Sequence, residues 1–320
     1  FRKWLNAKKV TESDLGMSPS KAVLTLNEPR QAWYTQRYNA ERQFAHYRHL
    51  TEVARDAFGP QVLTGANYSP HYPVPAYFGP IYQWIDIFKH NGMSMFWAED
   101  YIFSMGDLPQ LISWQFAQIR CAVKYHNQPI HFYVMPHAPG QEPGYFRRNS
   151  LLAIGAGARH IDNFWVAPPE TFTENYVSWG YTDQFRAIHN SIFDTAAAEI
   201  CLVDAKPRRA QVAVLIGKAT DENETATKVP KEKDPFASRA KNAPQQITQQ
   251  ICRREAMMLY IALRHAGVEV DVITEDDIAE RNELAPYRVV YFAGEWINTR
   301  SLKPIEEWVA KGGIFYATAG

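Results

Sequence analysis

Glu99 carries the strongest chemical signal in the chain. It closes the apolar run Met93–Tyr101 (MSMFWAEDY) and is flanked by Trp97, Asp100 and Tyr101. An apolar ring and a second carboxylate nearby both raise a carboxyl pKa, the condition for a proton donor at neutral pH. Cleavage of a glycosidic bond takes two carboxyl groups, one held protonated and one ionised. Adjacent residues of a strand point to opposite faces, so Asp100 is not the partner of Glu99 across a substrate. The alternative for Glu99 is a structural acid bonded to a neighbouring loop or an Arg. Two more carboxylates are catalytic candidates: Glu28, in the strand-like run Val23–Pro29 (VLTLNEP), and Glu142, at the end of the loop Met135–Glu142 (MPHAPGQE). Around them stand groups suited to substrate hydroxyls, namely Asn67, His71, Tyr72, Asp100, Tyr101 and His137. Trp97 and Trp165 are rings that can stack on a sugar face. His71, His131 and His137 lack any HxH or HExxH spacing, so no metal and no other cofactor is expected.

Four short apolar runs must position these groups: Gln61–Tyr68 (QVLTGANY), Met93–Tyr101, Pro129–Met135 (PIHFYVM) and Arg159–Val166 (RHIDNFWV). Helical spacing joins them over Trp33–Phe58, Gly79–His90, Leu108–Tyr125 and Tyr145–Ala158, with a further helix at Tyr181–Glu199. In a parallel barrel the C-terminal ends of all strands share one face, so their terminal residues converge on one cavity. The count is four βα units, the C-terminal half of a (β/α)8 TIM barrel, over residues 1–206. From 207 to 320 the pattern becomes that of a doubly wound parallel sheet: strands at Ala210–Ile216, Val268–Ile273, Tyr287–Phe292 and Gly313–Thr318, with helices at Ile251–Ala266 and Ser301–Lys311. The charged, proline-containing stretch Thr220–Gln246 reads as a loop. No GxGxxG follows the first of these strands and Gly217-Lys218 is no Walker motif, so nucleotide binding is unsupported.

Lys+Arg and Asp+Glu are both 34, which points away from nucleic acid and from a charged membrane surface as partners. Nine Trp and seventeen Tyr fit stacking on sugar faces, although a large core uses aromatics too. No apolar stretch approaches the roughly 18 residues of a membrane span. Cys121, Cys201 and Cys252 lack metal-ligand spacing and read as reduced thiols of a cytoplasm-like compartment. The chain opens inside an amphipathic stretch at Phe1 and stops after a strand-like run at Gly320. It therefore reads as an internal piece of a longer protein, with the sheet domain cut at its C-terminus and the true compartment left open.

The order of Phe1–Leu5 (FRKWL), Ala32–Tyr38 (AWYTQRY), the four runs and the later sheet resembles the glycoside hydrolase family 42 β-galactosidases. The resemblance covers nearly the whole chain as architecture. It implies a barrel followed by a flavodoxin-like domain through which subunits form a homotrimer, and retaining hydrolysis of galactosides or similar sugars. It also implies an acid at the end of strand four, where many barrel glycosidases carry Asn-Glu-Pro, and a nucleophile at the end of strand seven. With the four runs as strands five to eight, Met135 stands at the nucleophile position and Glu28 falls in a connection, the acid lying upstream of Phe1. Glu99 or Glu142 then takes over the carboxylate role. Two other readings stay open: a barrel that binds a glycan without cleaving it, and a metal-assisted lyase or hydrolase using His71 and His137.

Overall fold

The computed structural model describes residues 1–66, 81–99, 110–134, 136, 142–163, 166–167, 177–178, 180–206, 208–226 and 251–318. Two short helices open the chain, α1 (Arg2–Ala7) and α2 (Glu12–Leu15). The second begins with a reciprocal cap between Thr11 and Asp14 and stops at Gly16, whose φ of 75° favours glycine. Leu5, Leu15 and Ala22 form a small core of their own against Phe1, Trp4 and Tyr34.

The strand expected at 23–29 does not form. The N–H groups of Val23 and Thr25 donate to side chains, Gln31 Oε1 and Thr35 Oγ1, both at 3.2 Å, instead of to a neighbouring strand. Val23 and Leu24 are left 54% and 50% exposed. Glu28 consequently stands at the N-cap of the long helix α3 (Pro29–Phe58), with Pro29 in its first turn. The run at 61–66 also falls short of a strand. Thr64 O accepts from Ser94 N and Met95 N at 3.1 and 3.0 Å, but Thr64 N–H donates to the Ser94 hydroxyl at 2.8 Å. Side-chain oxygens thus take the place of a ladder.

The remaining three runs are strands. Helix α4 (Ile81–Lys89), β1 (Phe96–Glu99), α5 (Gln110–Val123), β2 (Ile130–Val134), α6 (Pro143–Gly155) and β3 (His160–Asn163) follow in alternation. The strands pair in parallel in the order β1-β2-β3, with Trp97 beside His131 and Tyr133 beside Asp162. Period-two alternation explains which face is core. Phe96, Ala98, Phe132 and Val134 are fully buried. Phe96 meets Phe88 and Trp84 of α4 at 4.4 and 5.4 Å between ring centres, and Phe132 meets Phe116 of α5 at 4.6 Å. Each such ring contributes about 1.5–3 kcal/mol by leaving water. The other face is therefore the one left for Trp97, His131 and Tyr133. A two-residue parallel pair, β4 (Val166–Ala167) with β5 (Val177–Ser178), and the helix α7 (Thr182–Leu202) complete this part.

The second sheet comprises β6 (Val212–Ile216), α8 (Lys218–Ala226), α9 (Ile251–His265), β7 (Val270–Thr274), α10 (Glu275–Arg281), β8 (Val289–Ala293), α11 (Thr299–Ala310) and β9 (Ile314–Thr318). Its strands are all parallel, in the order β7-β6-β8-β9. The stretch expected to be a loop from Thr220 begins as helix α8, and the rest of that stretch lies outside the described residues. Helix α5 serves both sheets: its Trp114 packs on Tyr260 of α9 at 5.2 Å, and the two share one core cluster with Val214, Val270 and Val272. Charges reinforce this contact. Lys89 of α4 pairs with Asp276 and Glu280 of α10 at 2.9 and 2.7 Å, and Lys124 reaches Asp277 at 2.7 Å.

Candidate functional site

The first sheet gathers aromatic and polar side chains on the face turned away from its helices. Trp97 sits edge-on to His131 at 5.1 Å and tilted to Tyr133 at 5.5 Å. His131 and Tyr133 are perpendicular at 4.9 Å. From the next strand the Asp162 carboxylate approaches His131 Nε2 at 3.3 Å. Burial holds the His131 pKa below its ordinary value, aided by His160, although Asp162 pulls the other way. His131 is therefore neutral at pH 7. Two nitrogens of this group, Trp97 Nε1 and His131 Nδ1, are buried and have no hydrogen-bond partner among the described residues.

Glu99 is the last residue of β1, in register with Tyr133 of β2. Trp97 and the position of Glu99 are thus brought to one strand end. Glu28 and Glu142 occupy another kind of place: each is an exposed N-cap residue, of α3 and α6 respectively, without a side-chain capping bond. Asn67, His71, Tyr72, Asp100, Tyr101, His137 and Trp165 lie outside the described residues, as does Met135. Among the described residues no three His, Cys, Asp or Glu side chains converge as a metal site. Sequence reasoning passes over Tyr133 and Asp162, and it weighs His131 only as a metal ligand. The signal is present in PIHFYV and RHID, where polar residues alternate with the apolar set that faces the helices.

The second sheet has its own crevice, at the strand ends between β6 and β8, where open α/β sheets hold ligands. Here protein atoms occupy it. The Glu275 carboxylate, fully buried, accepts from Ala219 N–H at 3.1 Å and Asn298 N–H at 2.7 Å. Thr220 Oγ1 donates to Trp296 O at 2.7 Å, closing the β6 end against the β8 end. The N–H groups that would meet a phosphate are thus bound to an internal carboxyl group, whose pKa burial pushes up while these two N–H donors pull it down. Glu275→Gln presents an amide N–H to one of two N–H donors, and is expected to lower stability by about 2 kcal/mol in urea unfolding.

No family model and no curated protein matches the sequence. Solved structures do match the fold. The β-galactosidase from the psychrophilic Marinomonas ef1 aligns with a TM-score of 0.67 at 13% identity, over 99% of this chain and 51% of that one. The β-galactosidase from the haloarchaeon Halorubrum lacusprofundi aligns at 0.65 and 16% identity, over 99% and 48%. A catalytic mutant of a GH42 β-galactosidase from G. stearothermophilus aligns at 0.67 and 15% identity, over 99% and 48%. The chain spans about half the length of these structures, and what it shares with them is the fold.

Proposed function

We propose that this chain is one side of a glycoside hydrolase barrel acting on β-galactosides or related glycans, with Glu99 as its principal carboxylate and Glu142 as the second candidate. The observation that carries the reading is the end of β1, where Glu99 follows a Trp that stands against His131 and Tyr133. Strand alternation assigns position 99 to the face of Trp97. An aromatic wall beside a carboxyl group suits both sugar stacking and proton donation. The overlay on β-galactosidases along almost the whole chain adds to this reading. The strands β1–β3 then correspond to the last part of a (β/α)8 barrel, with the unit boundary near residue 206. Hydrolysis of aryl β-galactosides and of oligosaccharides by the protein tests the reading, and failure on every sugar would end it.

A second reading has its own observation. The end of β2 and the two residues after it, Tyr133-Val134-Met135-Pro136, offer no carboxylate for a nucleophile. A barrel that binds carbohydrate without cleaving it would show saturable sugar binding and no turnover.

For the second unit, residues 207–320, the strand order β7-β6-β8-β9 is 2-1-3-4 in chain terms, the start of a flavodoxin-like sheet. With its crevice filled by Glu275, a role in subunit contact suits it better than ligand binding, and a homotrimer is the assembly we propose. Sedimentation equilibrium is expected to give the trimer mass; a monomer at all concentrations would exclude it.

A further inference from the structure

We propose that Gly65 is a positioning residue for Trp97: its missing side chain lets the run 61–66 close on β1 and brace the indole against His131 and Tyr133. β1 has a neighbour on each side, the run 61–66 on one and β2 on the other. Towards β2, the Trp97 ring meets His131 at 5.1 Å and Tyr133 at 5.5 Å between centres. Towards the run stands Gly65. A Cβ on Gly65 would lie 3.4 Å from Trp97 Cβ, 3.2 Å from Met95 O and 3.3 Å from the Met95 terminal methyl. Neighbouring strands are ordinarily about 4.8 Å apart, and side chains abreast on one face keep roughly that spacing. The run therefore comes closer to Trp97 than a side chain at position 65 would allow. Gly65 does not have the left-handed backbone that favours glycine elsewhere in the chain, and it is exposed. The close approach is what selects glycine here.

A chain of hydroxyls holds the run at that distance. Thr51 Oγ1 of α3, buried, donates to Gly92 O at 2.7 Å. Its only hydrogen is thus used, and its contact with Thr64 Oγ1 at 2.8 Å takes the Thr64 hydrogen. Thr64 N–H donates to the buried Ser94 Oγ at 2.8 Å, while Ser94 N–H and Met95 N–H donate to Thr64 O at 3.1 and 3.0 Å. Thr64 is tied to α3 and to the residues leading into β1 at once, directly before Gly65. Buried hydroxyls lose free energy when a partner is withdrawn, so Thr64 has one preferred place. Trp97 then has a fixed backbone on one side and two rings on the other. A side chain at position 65 would press on Met95 and on the stem of Trp97, turning the indole towards β2.

Only the kinetic arm of the test rests on the hydrolase reading. The first arm needs no substrate: the indole N–H signal of Trp97 and the ring signals of His131 are followed by NMR of the full chain. Gly65→Ala is expected to shift both, and Gly65→Val to shift them further, while the indoles of Trp114 and Trp308 stay in place. Thr64→Val is expected to broaden or split the Trp97 signal. Thr64→Ser, which keeps the hydroxyl, is expected to restore it. In the kinetic arm, Gly65→Ala is expected to raise KM for aryl β-galactosides about tenfold with kcat within about twofold, the mark of a displaced binding surface. Trp97 and His131 signals unmoved in Gly65→Ala overturn the proposal, whether or not Gly65→Val folds. So does an equal shift of every indole, the sign of general loosening. An unchanged KM in a variant whose Trp97 has moved overturns the link to substrate. If Trp97 moves as expected while the wild-type protein cleaves no glycoside, the positioning role stands and the hydrolase reading falls.

Discussion

Lys218→Met is expected to lower the unfolding free energy by about 3–5 kcal/mol, a fall in Tm of roughly ten degrees. The buried Lys218 ammonium lies 2.7 Å from Asp276 Oδ2 and 3.1 Å from Asp86 Oδ2, joining α8, α10 and α4 in one cluster. Removing the cation leaves Asp86 buried without that partner, and an uncompensated buried charge costs more than the pair contributes. Asp276 retains Lys89, so the damage concentrates on Asp86. The double variant Lys218→Met/Asp86→Leu is therefore expected to recover most of the loss, since exchanging a whole buried pair for apolar groups is near neutral. Additive losses in urea unfolding would show that the two side chains do not act as a pair.

The same cluster fixes the sign of a pH effect. Burial alone would raise the Asp276 carboxyl, but Lys218 and Lys89 hold it well below the usual carboxylate range. A carboxyl depressed in the folded state contributes stability that is fully present above the unfolded pKa, near 4, and lost as pH falls below it. Acid unfolding of the protein is expected to steepen below about pH 4. Lys218→Met is expected to flatten that limb.

This cluster also shows where sequence reading runs out. Helix α8 is KATDENETA, and its buried residues include Lys218, Asp221 and Glu222. A helix whose inner face is charged has no apolar period to reveal it, so the stretch reads as a loop. Helix α10 was legible in principle, because Thr274 and Asp277 form a reciprocal cap at its start. The strands β1, β2, β3, β6, β7, β8 and β9 declare themselves through apolar runs, but 23–29 and 61–66 look alike in sequence and are not strands. In both, side-chain oxygens of Gln31, Thr35 and Ser94 accept the backbone N–H groups that a ladder needs, and a one-dimensional pattern does not carry that competition. Of the candidate site, the place of Trp97 and of position 99 at the end of β1 followed from strand-end logic. The approach of Asp162 to His131 did not, because it depends on which strand lies beside β2.

Under the proposed hydrolase reading, Glu99→Gln carries the largest functional expectation: turnover of aryl β-galactosides falls at least about a hundredfold, the scale of a lost acid–base group. Glutamine keeps the size and the acceptor oxygen of the side chain, so substrate binding should persist and the loss should appear in kcat. The leaving group then separates the possible roles. If Glu99 donates the proton, substrates with acidic phenols need little help and keep much of their rate, while alkyl galactosides lose nearly all of it. If Glu99 is the nucleophile, every leaving group suffers alike. Wild-type turnover in Glu99→Gln removes this residue from the chemistry and moves the test to Glu142→Gln, which stands beyond the end of β2 at the start of α6. Loss in neither variant, with sugar still bound, would leave the strand ends of β1–β3 as a binding wall, the role that the aromatic side chains Trp97 and Tyr133 can fill without any carboxylate.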